Sequence, residues 1–222
     1  MQSNYERFGK RLFDIICSLC GIVVLSPFLA VVSLASKLDS PGPIFFVQKR
    51  MGRNLKPFNL IKFRSMTVVH DSEKYQFNPG DESRVTRLGY FLRKTKIDEL
   101  PELLNVLKGE MSFVGPRPEV LKYRHIYTGK FVPLLSLRPG ITDLASIKYR
   151  NEEELLRQSP EPERMYREVI LPDKLTLSLK YKETISLKTD LSIIFATLGR
   201  ILQGRSNHSK VSTGVYEKDD VL

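Results

Sequence analysis

Twenty-two consecutive residues without a charge, from Ile15 to Ser36, constrain this chain more than anything else in its sequence. As a helix rising about 1.5 Å per residue they cover roughly 33 Å, the thickness of a bilayer's hydrocarbon layer. The run is too long for the apolar core of a secretory signal, and no small-residue cleavage pattern follows it cleanly. Ser26-Pro27 stands in its middle, where proline removes a backbone hydrogen bond and crowds the preceding turn, so a kink is expected there. The Ser26 hydroxyl can take up a carbonyl that the proline frees, which lets such a break survive in lipid.

The flanks decide between topologies. Arg7, Lys10 and Arg11 precede the run; Lys37, Lys49, Arg50, Arg53 and Lys56 follow it. Both ends therefore read as cytoplasmic under the positive-inside rule. A re-entrant helix, broken at Ser26-Pro27 and leaving by the face it entered, reconciles the proline with these flanks. A straight span and the buried core helix of a soluble protein are the alternatives. Cys17 and Cys20 lie inside the run, which excludes a disulfide framework or zinc ribbon. A C-x-x-C redox motif lacks its βαβ context here, so the thiols read as space-filling.

The remaining chain is strongly basic: 35 Lys and Arg stand against 25 Asp and Glu in 222 residues, a formal net charge of +10. Such a balance implies an anionic partner, whether nucleic acid, lipid headgroups or a phosphorylated substrate. After the turn Ser40-Pro41-Gly42-Pro43, Ile44 to Lys49 and Pro57 to Phe63 read as two strands of a hairpin. Val68 to Ser83 is polar and reads as a loop. Arg84 to Thr95 carries Val85, Leu88, Phe91 and Leu92 at helical spacing among basic residues, an amphipathic helix suited to an anionic surface. A second helix is expected from Asp98 to Leu107, with Pro101 in its first turn and Lys108-Gly109 closing it. A third, with an apolar stripe, follows Asp190. Glu152 to Asp173 is acidic and reads as solvent-facing. The expected fold is α+β, mainly α: a re-entrant membrane helix region over 1–40, a catalytic domain with interfacial helices and a small β-hairpin over 41–203, and a flexible tail over 204–222.

Three places carry candidate chemistry. Asp98-Glu99 lies among cations at an expected helix start, where the macrodipole favours an ionised carboxylate. Such an aspartate can attack phosphorus, and an adjacent carboxylate can hold Mg²⁺ together with substrate oxygens. Adjacent acids at a helix start also serve simply as caps. Arg117, between Pro116 and Pro118, projects from a stiff loop in a form suited to bidentate phosphate recognition, or is an ordinary exposed arginine. Lys62 and Arg64 on the second strand, and Arg138 in a turn, are weaker phosphate-binding candidates. A glycosidase pair is a poor reading because adjacent side chains on a helix diverge too far to flank one bond.

In combined order and spacing these segments resemble the bacterial sugar transferase family, the monotopic phosphoglycosyl transferases. The matching pieces begin with Lys10-Arg11-Leu12-Phe13-Asp14, Ser26-Pro27, Ser40-Pro41-Gly42-Pro43, Gln48-Lys49-Arg50-Met51-Gly52 and Lys62-Phe63-Arg64-Ser65-Met66. Arg84 to Gly89, Ile97-Asp98-Glu99-Leu100-Pro101-Glu102-Leu103, Gly115-Pro116-Arg117-Pro118, Arg138-Pro139-Gly140-Ile141-Thr142 and Asp190-Leu191 continue them. The resemblance spans roughly residues 8 to 200. It implies transfer of a sugar 1-phosphate from a UDP-sugar to undecaprenyl phosphate, releasing UMP, through a phosphosugar covalently held on Asp98. It implies Glu99 as Mg²⁺ ligand, with Asp98 beside it, and Arg93 and Arg117 on phosphates. The expected site is the cytoplasmic face of a bacterial inner membrane, with membrane lipid as partner, no nucleic acid, and room for a homo-oligomer. Lys96 stands where the family often has a small hydroxyl residue, and Ile141 to Ala145 departs from its usual glycine-aromatic continuation. The rival reading is a membrane-anchored basic adaptor or nucleic-acid binder without catalysis.

Overall fold

The computed structural model describes residues 4–68 and 83–202; most of the loop expected over Val68 to Ser83, and the tail expected beyond Gln203, lie outside them. A turn of π-helix, Tyr5–Gly9, leads into α1, Lys10–Asp39. Where a break is expected at Ser26-Pro27, helical residues instead run on without interruption. The Ser26 hydroxyl donates to the carbonyl of Val23 at 2.8 Å, the acceptor that Pro27 has no N–H to reach.

The hairpin forms as expected: β1, Phe45–Met51, pairs antiparallel with β2, Pro57–Phe63. Next, α2, Arg87–Thr95, is capped by the Thr86 hydroxyl, which accepts from Gly89 N at 2.9 Å. It ends at Lys96, left-handed at φ 60°. Instead of a helix starting at Asp98, a 3-10 turn covers Ile97–Glu99, and α3 occupies Glu102–Lys108 with Gly109 at φ 88° as its stop. Pro101 stands just before α3 rather than inside it, since it has no N–H to give the preceding turn.

Two short parallel strands, β3 (Ser112–Val114) and β4 (Gly140–Thr142), join the Gly115-Pro116-Arg117-Pro118 loop to the Arg138-Pro139-Gly140 turn. The approach is close enough that a Cβ on Gly140 would lie 2.2 Å from Gly115 N, so only glycine fits. Then come α4 (Leu144–Lys148), α5 (Glu152–Gln158), α6 (Pro162–Met165), a π turn over Tyr166–Ile170, α7 (Leu171–Glu183) and α8 (Leu187–Leu202).

The segment expected to face solvent, Glu152 to Asp173, supplies core instead. Leu156, Tyr166, Ile170 and Leu171 are all buried, packed with Tyr123, Leu134, Tyr149 and Leu175. A second cluster, Phe58, Leu60, Val106 and Met111, holds α3 against β2. Asn105, fully buried, ties the same elements: its Nδ2 donates to Asn59 O at 2.8 Å and its Oδ1 accepts from Ile61 N at 3.1 Å.

This body grips α1 along its length. Near the N-terminal end, Arg11 donates to the carbonyls of Val106 (2.6 Å) and Leu107 (2.9 Å) in the last turn of α3. Asp14, 1% exposed, accepts from Ser112 Oγ and Phe113 N, both at 3.0 Å. Toward the other end, Val32 packs with Phe63 and Leu92. There Arg64 donates to the carbonyls of Ser36 (3.0 Å), Ser40 (2.6 Å) and Pro41 (3.1 Å). The opposite face of α1 is apolar and exposed, with Leu12, Ile16, Leu19, Val23, Val24, Val31, Leu34 and Leu38 each at least half exposed.

Candidate active site

Glu99 is the electrostatic centre of the candidate site. Its Oε1 accepts from Lys62 Nζ on β2 and from an Arg117 guanidinium nitrogen, each at 2.7 Å. Lys62 also reaches Glu102 at 3.2 Å. Burial alone would raise the Glu99 carboxyl, but Arg117 and Lys62 outweigh it and hold it well below the usual carboxylate range. Asp98 is in the opposite situation. It is 7% exposed, its Oδ1 has no hydrogen-bond partner, and burial followed by the Glu99 charge pushes it up to about 6. The helix-start setting expected to favour its ionised form is absent, because Asp98 precedes α3 by several residues on a separate turn. It is nonetheless mostly ionised at neutral pH.

The backbone of Arg117 is tied to the start of α4 through one side chain. Asp143 Oδ2 accepts from Arg117 N at 3.2 Å, while its Oδ1 caps α4 through Ser146 N at 2.6 Å. Asp143, the acceptor of both bonds, lies in the Ile141 to Ala145 stretch that the sequence reading set apart. Lys96 is left-handed without being glycine, a strained conformation, and its charge lies near both Asp98 and Glu99.

A cavity of about 410 Å³ opens beside these residues. Glu99, Arg93 and Arg117 line it, together with Lys94, Lys96, Arg150, Lys174 and Arg200; its apolar wall is Leu103, Phe113, Ile141, Ile194, Leu198 and Ile201. Asp98 and Lys62 are not on the wall but directly adjoin Glu99, which is. Arg93 pairs with Glu153, yet its second terminal nitrogen is buried without a hydrogen-bond partner. The structure thus brings together five of the seven candidate residues: Asp98, Glu99, Lys62, Arg93 and Arg117. Arg64 is 5% exposed and committed to the end of α1. Arg138 donates to Gly109 O at 2.9 Å, beyond the far end of α3. Sequence reading missed Asp143, Glu152, Glu153 and Lys174, which lie in the stretches read as divergent, solvent-facing or featureless.

A hard divalent cation fits the pair of acids. Mg²⁺ takes one or two carboxylates and completes its shell with water and substrate oxygens. Both cations on Glu99 take Oε1, leaving Oε2, and Asp98 Oδ1 lacks any partner. Among the described residues no group of three or more His, Cys, Asp or Glu is arranged for a metal, so substrate oxygens would have to complete such a site.

Comparison with known proteins places the chain in a family. The family model described as bacterial sugar transferase matches residues 5–204. An uncharacterized sugar transferase of Bacillus subtilis, EpsL, is 38% identical over 216 residues, covering 96% of this chain and 92% of that protein. The UDP-glucose:undecaprenyl-phosphate glucose-1-phosphate transferase of Escherichia coli K12 is 37% identical over 88% of this chain and 40% of its own length. A UDP-N-acetylgalactosamine-undecaprenyl-phosphate N-acetylgalactosaminephosphotransferase of Aeromonas hydrophila is 34% identical over 92% of this chain and 46% of its own. The chain spans less than half the length of these last two. The long match of the family model and the closeness of EpsL over nearly its full length together make this chain a member of the bacterial sugar transferase family.

Proposed function

We propose that this chain transfers a sugar 1-phosphate from a UDP-sugar to undecaprenyl phosphate, releasing UMP, at the start of a bacterial glycoconjugate. The carrying observation is the contrast between the two acids: Glu99 is neutralised by Lys62 and Arg117, whereas Asp98 keeps an unpartnered oxygen. A carboxylate with a raised pKa and no hydrogen-bond donor on its lone pairs is the better nucleophile of the two. In the first half-reaction an Asp98 oxygen bonds to the sugar-bearing phosphorus while the bond to the bridging oxygen breaks, and UMP leaves with that electron pair. In the second, an oxygen of the lipid phosphate bonds to the same phosphorus and Asp98 departs. Arg117 and Arg93 hold phosphate oxygens, and Lys62 keeps Glu99 ionised and oriented. Mg²⁺ bound by Glu99 and Asp98 would supply neutralising charge on the diphosphate.

The cavity suits a substrate pair that is charged at one end and greasy at the other, having cations on one side and the α8 and α3 wall on the other. The exposed face of α1, with Phe45, Phe46 and Val47 on β1 and Tyr90 and Phe91 on α2, is the surface we assign to the bilayer. Its basic flanks support a reading in which both ends of α1 lie on the cytoplasmic side of the inner membrane, a re-entrant, monotopic placement. The names of the relatives differ in the sugar, glucose in one and N-acetylgalactosamine in another, so the donor is found by experiment. UMP release is measured from a panel of UDP-sugars with undecaprenyl phosphate and Mg²⁺. One donor is expected to exceed the others in turnover; no release from any of them overturns the reading.

A further inference from the structure

The charged groups beside the cavity form a row of alternating sign. Lys62 pairs with Glu99, and Glu99 with Arg117. The Arg117 guanidinium also feels the Glu152 carboxylate, and Glu152 is paired with Lys174 on α7. Lys174 is the last member of this chain of pairings, three links removed from Glu99. Its side chain is 7% exposed, yet it lines the cavity. The ammonium lies 5.0 Å from the ring centre of Tyr166 and 6.0 Å from that of Tyr149. Both rings are pinned, Tyr166 by its hydroxyl on Glu119 and Tyr149 by its hydroxyl on Asp173, each at 2.7 Å.

An ammonium has three N–H donors, and one carboxylate does not use them all. Ring faces attract the charge without replacing those bonds. Lys174 is therefore a nearly dry, rigidly caged cation with donor capacity to spare on a cavity wall, the arrangement that stabilises charge appearing in a reaction. In phosphoryl transfer the attacking and leaving oxygens lie roughly in line on opposite sides of phosphorus. With attack coming from Asp98, the leaving oxygen faces away from it and needs a cation other than those that hold Glu99. We propose that Lys174 binds the phosphate of the departing UMP, an assignment that rests on the UDP-sugar reading above.

The test compares UMP with uridine as competitors of the UDP-sugar, using the full chain with Asp98 and Glu99 intact. The parent is expected to prefer UMP over uridine; if UMP does not compete at all, the nucleotide-donor reading itself fails. Lys174→Met keeps the apolar stem between the two rings and removes the charge. It is expected to weaken UMP at least tenfold while uridine stays within twofold. Equal loss of both, or loss of neither, reduces Lys174 to a structural tie between α5 and α7 and overturns the proposal. Glu152→Gln covers the case in which Lys174→Met does not fold. It leaves the lysine charge unshared and is expected to raise the UMP-to-uridine preference, and an unchanged preference in that variant counts against the proposal.

Discussion

Asp98 and Glu99 are neighbours in the chain, and what separates their tasks is who pairs with them. The cations on Glu99 take up its electron pairs by direct hydrogen bonds, whereas no donor reaches Asp98 Oδ1, which leaves that oxygen available to attack phosphorus. Incubation with UDP-sugar and Mg²⁺ without lipid acceptor is expected to add one sugar phosphate to the protein's mass, mapping to Asp98. Asp98→Asn should abolish the adduct, while Glu99→Gln should weaken Mg²⁺ dependence along with turnover. An adduct mapping to Glu99, which lines the cavity as Asp98 does not, would reverse the two roles. Glu102 adds a pH dependence. Burial, against the pull of Lys62, pushes it from an ordinary 4.5 up to about 7, so the folded state keeps a proton that the unfolded chain releases between those values. Stability therefore falls as pH rises through that window, by on the order of 3 kcal/mol, and Asp98 acts in the same direction at slightly lower pH. Without divalent metal, the parent's Tm is expected to drop between pH 5 and pH 8, and Glu102→Gln to drop less. Equal losses in both would remove Glu102 from the account.

At the scale of elements, the docking of α1 is where sequence and structure part most instructively. Lys62 and Arg64 share a parity that puts both on one face of an extended strand. Yet β2 ends at Phe63, and Arg64 turns to the carbonyls that finish α1. Gly42, at φ 128°, wraps so closely that a Cβ would lie 2.2 Å from the guanidinium. Arg64→Lys cannot span three carbonyls and should cost about 2–3 kcal/mol, seen as a lower Tm with an unchanged KM for the UDP-sugar. A raised KM with unchanged Tm would return Arg64 to the phosphates. The other end is held by Asp190, fully buried, which accepts from Tyr5 at 2.7 Å, Lys10 at 2.6 Å and Tyr181 at 2.6 Å. Asp190→Asn breaks a buried ion pair and should cost about 3–5 kcal/mol, read from thermal unfolding; a Tm equal to the parent's would mean that the pair is not what docks α1. The hairpin, α2 and α8 were legible because each repeats its period long enough to be seen. The Glu152 to Asp173 stretch was not, because α5 and the π turn contribute only one and two buried residues among charges, and α6 none. No periodicity emerges from elements so short. Lys174 was hidden for a related reason: a lysine buried between rings has the same letter as one in water.

For the molecule as a whole, the decisive fact is that one folded body holds both ends of α1. Thirty helical residues at about 1.5 Å each extend roughly 45 Å. Contacts nevertheless run from Arg11 and Asp14, through Gly21 beside Leu103, to Val32 and the carbonyl of Ser36. A helix crossing the bilayer on its normal would have to drag that body, with its buried ion pairs and its charged cavity, through the hydrocarbon. Dehydrating those charges is costly, and the re-entrant placement proposed above avoids it by leaving the body in water and its apolar side in lipid. By length and composition alone Tyr5–Asp39 could cross, so the distinction rests on the docking and on the basic flanks. Single cysteines at Asn4 and Asn54 test it, in a background in which Cys17 and Cys20, the free thiols of α1, are replaced by alanine. In intact cells both positions are expected to resist an impermeant thiol reagent and to react once the membrane is opened. Labelling of Asn4→Cys from outside while Asn54→Cys stays protected would mean that α1 spans, and that the contacts holding its N-terminal end to the body do not form in the membrane.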